Sequence, residues 1–145
     1  MRLQSSTDYA IKILQHLHSH EGDLQKAEEI AASVGTTYPF VTQITHRLKK
    51  NDLLRTAQGR HGGYVLGKPA QEISIYDVFR AMEGEMQIRN YLQEGASSGG
   101  LAEGGKLEAF LQRFQDNIIA EMSSKSIADL KPSRYTLKIC QSRVS

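Results

Sequence analysis

Tyr9, Ile13, Leu14 and Leu17 recur at the three- and four-residue spacing of one helix face, and Ser5 and Asp8 stand before them in the S-x-x-D arrangement of a capping box. A first helix from about Ser6 to Ser19 follows, with Gly22 ending it. Leu24, Ala27, Ile30, Ala31 and Val34 predict a short second helix that stops at Gly35. After the turn Gly35-Thr36-Thr37, Pro39 sits where a first-turn proline is tolerated, and Val41, Ile44 and Leu48 form the apolar stripe of a third helix ending near Asn51. Its other face carries Thr42, Gln43, Thr45, His46 and Lys49.

Helix, tight glycine turn and helix, with hydrogen-bonding side chains on the exposed face of the second, make a helix-turn-helix pattern. Two short β-compatible runs come next, Leu53 to Ala57 and Tyr64 to Gly67, around a glycine-rich tip that holds Gly59, Arg60, His61, Gly62 and Gly63. They predict a hairpin, placed where a wing would be. Glycine at 59, 62 and 63 allows positive φ and close backbone approach, and Arg60 adds a charge at the end; the plainer reading is a hairpin whose glycines serve only the turn. Ser74 and Asp77 form a second capping box, opening a helix through Ile75, Val78, Phe79 and Met82 that stops at Gly84. From Lys106 to about Ala128, Leu107, Phe110, Leu111, Phe114, Ile118, Ile119 and Met122 fall on one helical face. Such a helix is about 34 Å long, and its stripe invites pairing with a second copy of itself.

The fold class is therefore mainly α with a small β-hairpin: a winged helix-turn-helix domain over 1–84, a flexible loop over 85–105, a dimerisation helix over 106–128 and a basic tail over 129–145. Composition narrows the function. The chain has 145 residues and 39% hydrophobic residues, enough for one domain with a modest core and an appended element. No apolar run approaches the length of a membrane helix and the first twenty residues lack a signal-peptide pattern, so a cytoplasmic protein with no membrane partner is expected. Net charge is only +2, but it is uneven. Between Thr36 and Lys68 six cations (Arg47, Lys49, Lys50, Arg55, Arg60, Lys68) face the single acid Asp52, and the tail from Lys131 carries four cations and no acid. The remainder is net acidic, and a basic patch on an acidic body points to a polyanion bound by one face.

Three segments together carry a family resemblance: MRLQSSTDYAIKIL at the start, RLKKNDLLR leading into GRHGGYVLGKP, and ISIYDVFRAMEG after it. Over roughly residues 1 to 128 the chain resembles the Rrf-two family of bacterial transcriptional regulators. The resemblance implies a homodimeric winged helix-turn-helix repressor with its third helix in the major groove, its wing at the minor groove, and its last helix crossing that of its mate. Many members hold an iron–sulfur cluster on three cysteines between the fourth helix and the dimer helix. Here residues 85 to 106 contain neither cysteine nor histidine, and the lone Cys140 lies outside that loop. No cofactor is expected, because thiolates are the ligands such a cluster needs; the chain resembles the cluster-free branch, which includes a repressor of cysteine metabolism. EGASSGGLAEGG, from Glu94 to Gly105, then occupies a sensor loop without its ligands. A small molecule or a partner protein becomes the candidate effector, with Arg89, Asn90 and Tyr91 the polar groups beside the loop.

Base reading falls to Thr37, Tyr38, Thr42, Gln43 and His46, since glutamine suits adenine and threonine offers a methyl to thymine or a hydroxyl to an acceptor. Arg47, Lys49 and Lys50 are phosphate contacts, joined at the wing by Gln58, Arg60 and His61. Relatives that bind a cluster often carry glutamate at the position of Thr42 and arginine at that of Gln58, so a different operator is implied. The dimer contact falls to Leu107, Phe110, Leu111, Phe114, Ile118 and Met122. His16 and His20 share a helical face at metal-ligand spacing, but nearby there is no cysteine, and a histidine-rich helix end is the simpler reading. No metal site and no catalytic residue is assigned: nucleophile motifs, paired carboxylates and a phosphate loop are all missing from the sequence. Arg134 to Cys140 alternates like a short strand and reads equally as a disordered basic arm. A protein-binding winged-helix module that does not touch DNA is the competing function.

Overall fold

The computed structural model describes residues 5–88 and 106–130. Arg89, Asn90, Tyr91, the glycine-rich stretch to Gly105, Cys140 and the C-terminal tail lie outside these residues. The order of elements is α1 (Ser5–Ser19), α2 (Ala27–Val34), α3 (Tyr38–Lys50), β1 (Leu54–Ala57), β2 (Gly63–Leu66), a single 3-10 turn (Ala70–Glu72), α4 (Ile75–Glu83) and α5 (Lys106–Ser124). Among them no helix is long and apolar enough to cross a membrane.

α1 is the central spar, packed on α2, α3, α4 and β2. Ala10, Ile13, Leu14 and Leu17 are buried along one stripe and meet Ile30, Val41, Ile44, Leu48, Val78 and Met82 in one core. Tyr9 extends the α1–α3 contact, its ring edge-on to Phe40 at 5.3 Å. Ser5 is itself helical, and Asp8, read as part of a capping box, instead pairs with Lys12 one turn on at 2.7 Å.

α2 begins later than its apolar spacing suggests. Leu24 lies before the helix and is 40% exposed. Gln25 is extended there and exchanges two backbone bonds with Tyr64 of β2, which delays the helix to Ala27. The stop at Gly35 is as predicted: φ is 74° and its N–H returns to the Ala31 carbonyl at 3.0 Å. That left-handed residue sets α3 across α2. α3 then starts from an extended Thr37 with proline in its first turn. Thr45 corrects the sequence reading. It is buried rather than displayed, because four residues after Val41 it falls beside the apolar stripe, where its hydroxyl donates to the Thr42 carbonyl at 3.2 Å.

β1 and β2 pair antiparallel in the register Leu54 with Leu66 and Ala57 with Gly63. Ser74 caps α4 as expected: its Oγ accepts from the Asp77 N–H at 3.0 Å, and its own N–H donates to the Asp77 carboxylate at 2.9 Å. Ser74→Ala should lower stability by about 1 kcal/mol, read as a lower urea midpoint at unchanged slope. An unshifted midpoint would show that the cap contributes nothing.

The last helix departs most from expectation. It ends at Ser124 instead of near Ala128, so it is about 28 Å long. The chain then turns back along the entry to α4: the Ile75 N–H donates to the Lys125 carbonyl and the Ile127 N–H to the Ile73 carbonyl, both at 2.9 Å. Ser126 bridges Ser74, and Ile127 is fully buried in the core. Lys125, Ser126 and Ile127 thus belong to the packing of the winged domain. Further up, Gln115 of α5 accepts a hydrogen bond from the Ile88 N–H at 2.8 Å.

Candidate nucleic-acid interface

The exposed side of α3 is built by elimination. With Val41, Ile44, Thr45 and Leu48 turned to the core, periodicity forces Thr37, Tyr38, Gln43, His46, Lys49 and Lys50 outward, and all six are exposed. Tyr38, at the first turn, is 51% exposed although it is a large aromatic residue. Thr42 is half-buried and its hydroxyl donates to the Pro39 carbonyl at 2.7 Å. Its donor hydrogen is therefore engaged, leaving a methyl and lone pairs to face a partner. Lys49 and Lys50 stand in the last turn, where the helix dipole favours cations.

Arg47 takes a second role that spacing alone does not disclose. Its Nη1 donates to the Met82 carbonyl at 3.1 Å, tying α3 to the end of α4. The residue is otherwise exposed, so the remaining guanidinium donors stay available to a phosphate.

The wing is tied to the segment that leads into α2. Gln25 and Tyr64 exchange backbone bonds of 3.1 and 2.8 Å, adding a rung beside β2 just before α2 begins. The three tip glycines have different causes. Gly59 has φ 108°, whereas Gly62 and Gly63 do not have positive φ. A Cβ on Gly62 would stand 2.3 Å from the Ala57 carbonyl oxygen, and one on Gly63 would stand 2.8 Å from that of Gln25. The close approach is thus to the protein's own backbone. Gln58, Arg60 and His61 project from the tip, all exposed.

Two recesses flank α3. One, of about 670 Å³, runs beside Phe40, Gln43, His46, Arg47, Ser6 and Met82. The other, of about 210 Å³, separates the wing from α2 and is lined by Lys26, Tyr38, Thr56 and Tyr64 among others. Lys26 is a cation that the sequence reading missed, because its run is acidic; only the fold brings it beside Tyr38. A convex helix with outward polar groups, cations behind it and grooves on both sides suits insertion into a major groove about 12 Å wide.

The histidines at and just after the end of α1 have protein partners. His16 Nε2 meets the Gln25 side-chain oxygen at 2.9 Å, the His20 Nδ1 meets the His16 carbonyl at 2.9 Å, and His18 meets Glu21 at 2.7 Å. Among the described residues no three His, Cys, Asp or Glu side chains converge as metal ligands would. On α5, Leu107, Phe110 and Phe114 are 61%, 58% and 47% exposed, while Leu111, Ile118 and Met122 are half-buried. None of that helix's side chains is buried within the single chain.

Comparison with known proteins gives the same picture. The family model Rrf2, described as an iron-dependent transcriptional regulator, matches residues 3–132. The HTH-type transcriptional regulator IscR of Photorhabdus laumondii is 31% identical over 142 residues, covering 96% of this chain and 84% of that protein. Protein aau3 of Rhizobium meliloti is 28% identical over 134 residues, covering 92% and 87%. Among solved structures, CymR, the global cysteine regulator of B. subtilis, superposes with a TM-score of 0.73 at 21% identity, covering 90% of this chain and 96% of that one. T. potens IscR follows at 0.70 and 20%, covering 90% and 85%. The chain belongs to the Rrf2 family of winged helix-turn-helix transcriptional regulators, and it is a DNA-binding regulator, not an enzyme.

Proposed function

We propose that the protein is a homodimeric repressor that reads its operator with α3 and does not hold an iron–sulfur cluster. The observation that carries the reading is the outward row Thr37, Tyr38, Gln43 and His46, with Lys49 and Lys50 behind it and Arg60 across at the wing. Base edges are read by the first group, and phosphates fix the register through the second. Repression follows from occupancy: a dimer seated on a promoter excludes what must bind there.

The iron dependence in the family description does not carry over to this donor set. Residues 85–106 offer no cysteine or histidine, and the single thiol of the chain is Cys140. One thiolate does not make the ligand set of a cluster.

Titration of random and selected duplexes at two salt concentrations tests the DNA reading. Affinity should fall steeply with salt, and indifference to salt would favour a protein partner instead. Gln43→Ala should lose about 1–3 kcal/mol of discrimination at one base pair, whereas Lys49→Ala should weaken all sequences alike and reduce the salt slope by about 1. Equal losses on specific and random DNA for Gln43→Ala would remove it from base reading.

A further inference from the structure

A third recess lies away from the outward face of α3, between the C-terminal end of α1 and the base of the wing. It measures about 370 Å³, within the range of small-molecule sites. Leu17, Val65, Leu66 and Pro69 give it apolar wall, and Arg55, Lys68 and His20 bring nitrogen donors to it. The Arg55 guanidinium is already oriented, because its Nη2 donates to the Gly67 carbonyl at 2.8 Å. Gly67 is fixed in turn: its N–H bonds to the Leu53 carbonyl at 3.0 Å, and a Cβ there would stand 2.4 Å from the Asp52 carbonyl oxygen.

The charge of the recess is unbalanced. Among the described residues Glu21 is the one acid lining it, and Glu21 is engaged by His18 at 2.7 Å. Among the described residues, neither Arg55 nor Lys68 has a carboxylate within ion-pair distance. An anchored guanidinium and an unpaired ammonium at the rim of a partly apolar hollow match a ligand with an oxyanion end and a short carbon body.

We propose that this recess binds a small organic oxyanion, a carboxylate or phosphate ester of metabolite size, through Arg55 and Lys68. No residue of α3 lines the recess, so binding is measured on the protein alone. Its floor belongs to β2 and its rim to the β1–β2 base, so an occupant would bear directly on the wing.

Isothermal titration of the full chain with succinate, citrate and glycerol phosphate, against glycerol as the neutral control, tests this. At least one oxyanion should bind saturably at millimolar or lower concentration, and glycerol should not. Lys68→Gln, which breaks no hydrogen bond or ion pair among the described residues, should weaken that binding about tenfold, and Arg55→Gln at least as much. Lys106→Gln, an equal change of charge on α5, should leave it unaltered. No saturable binding by any of the three overturns the proposal, as does equal weakening by Lys106→Gln. Unaltered anion binding in Lys68→Gln, with loss of affinity for random duplex, would assign this cation to a DNA phosphate and overturn it too.

Discussion

The double substitution Phe110→Glu, Phe114→Glu should convert the proposed dimer to a monomer at micromolar concentration and lower operator affinity by about 10²–10⁴-fold. The two rings lie one helical turn apart on α5, near-parallel with centroids 6.3 Å apart, and are 58% and 47% exposed in the single chain. With Leu107 at 61% they make an apolar strip that the chain's own fold leaves open. Burying one such side chain is worth about 1.5–3 kcal/mol, and a two-fold axis counts each twice. Two carboxylates at the same positions would meet their symmetry mates across the axis. Because both positions are solvent-facing in the single chain, the monomer should keep its stability within about 0.5 kcal/mol, which separates lost pairing from lost folding. Sedimentation and operator titration read both effects. A wild-type chain that sediments as a monomer, or a variant that remains a dimer, would remove α5 from the interface.

How far the sequence discloses this protein depends on the range of the interactions involved. α1, α3 and α4 are legible because each buries one periodic stripe, and local caps mark the end of α2 at Gly35 and the start of α4 at Ser74. The wing was legible from its glycines, though only Gly59 serves the turn through positive φ; Gly62 and Gly63 answer to contacts with Ala57 and Gln25. Long-range pairing misleads the reading in two places. Leu24 looks helical until the bridge from Gln25 to Tyr64 claims the backbone beside it, and the end of α5 is set by the bridge from Ser126 to Ser74. Thr45 differs: its polarity suggests exposure, but its place on the helix buries it. The site shows the same division. The exposed row of α3 follows from periodicity, but Lys26 beside Tyr38, the Arg47 bond to Met82 and the cationic recess at Arg55 and Lys68 are products of tertiary folding.

Ile127→Ala should cost about 2–5 kcal/mol, a large part of the roughly 5–15 kcal/mol that holds a domain of this size together. The side chain has no exposed surface and sits in the same core as Ile73, Val78 and Leu14, well beyond the last turn of α5. Its backbone N–H still reaches the Ile73 carbonyl in the variant, so the loss isolates packing from hydrogen bonding. Leu130, three residues on and 40% exposed, supplies the contrast: Leu130→Ala should change stability by about 0.5 kcal/mol or less. The consequence reaches function, because α5 is fastened to the winged domain by Gln115 at Ile88 and by the rung that Ile127 anchors. Loosening the second fastening should let the helix angle vary relative to α3, so that operator affinity falls while affinity for random duplex, which needs no fixed half-site spacing, falls less. Urea unfolding and paired titrations at one salt concentration measure the two effects. A midpoint shift equal to that of Leu130→Ala would show that the segment after α5 lies on the core without being part of it.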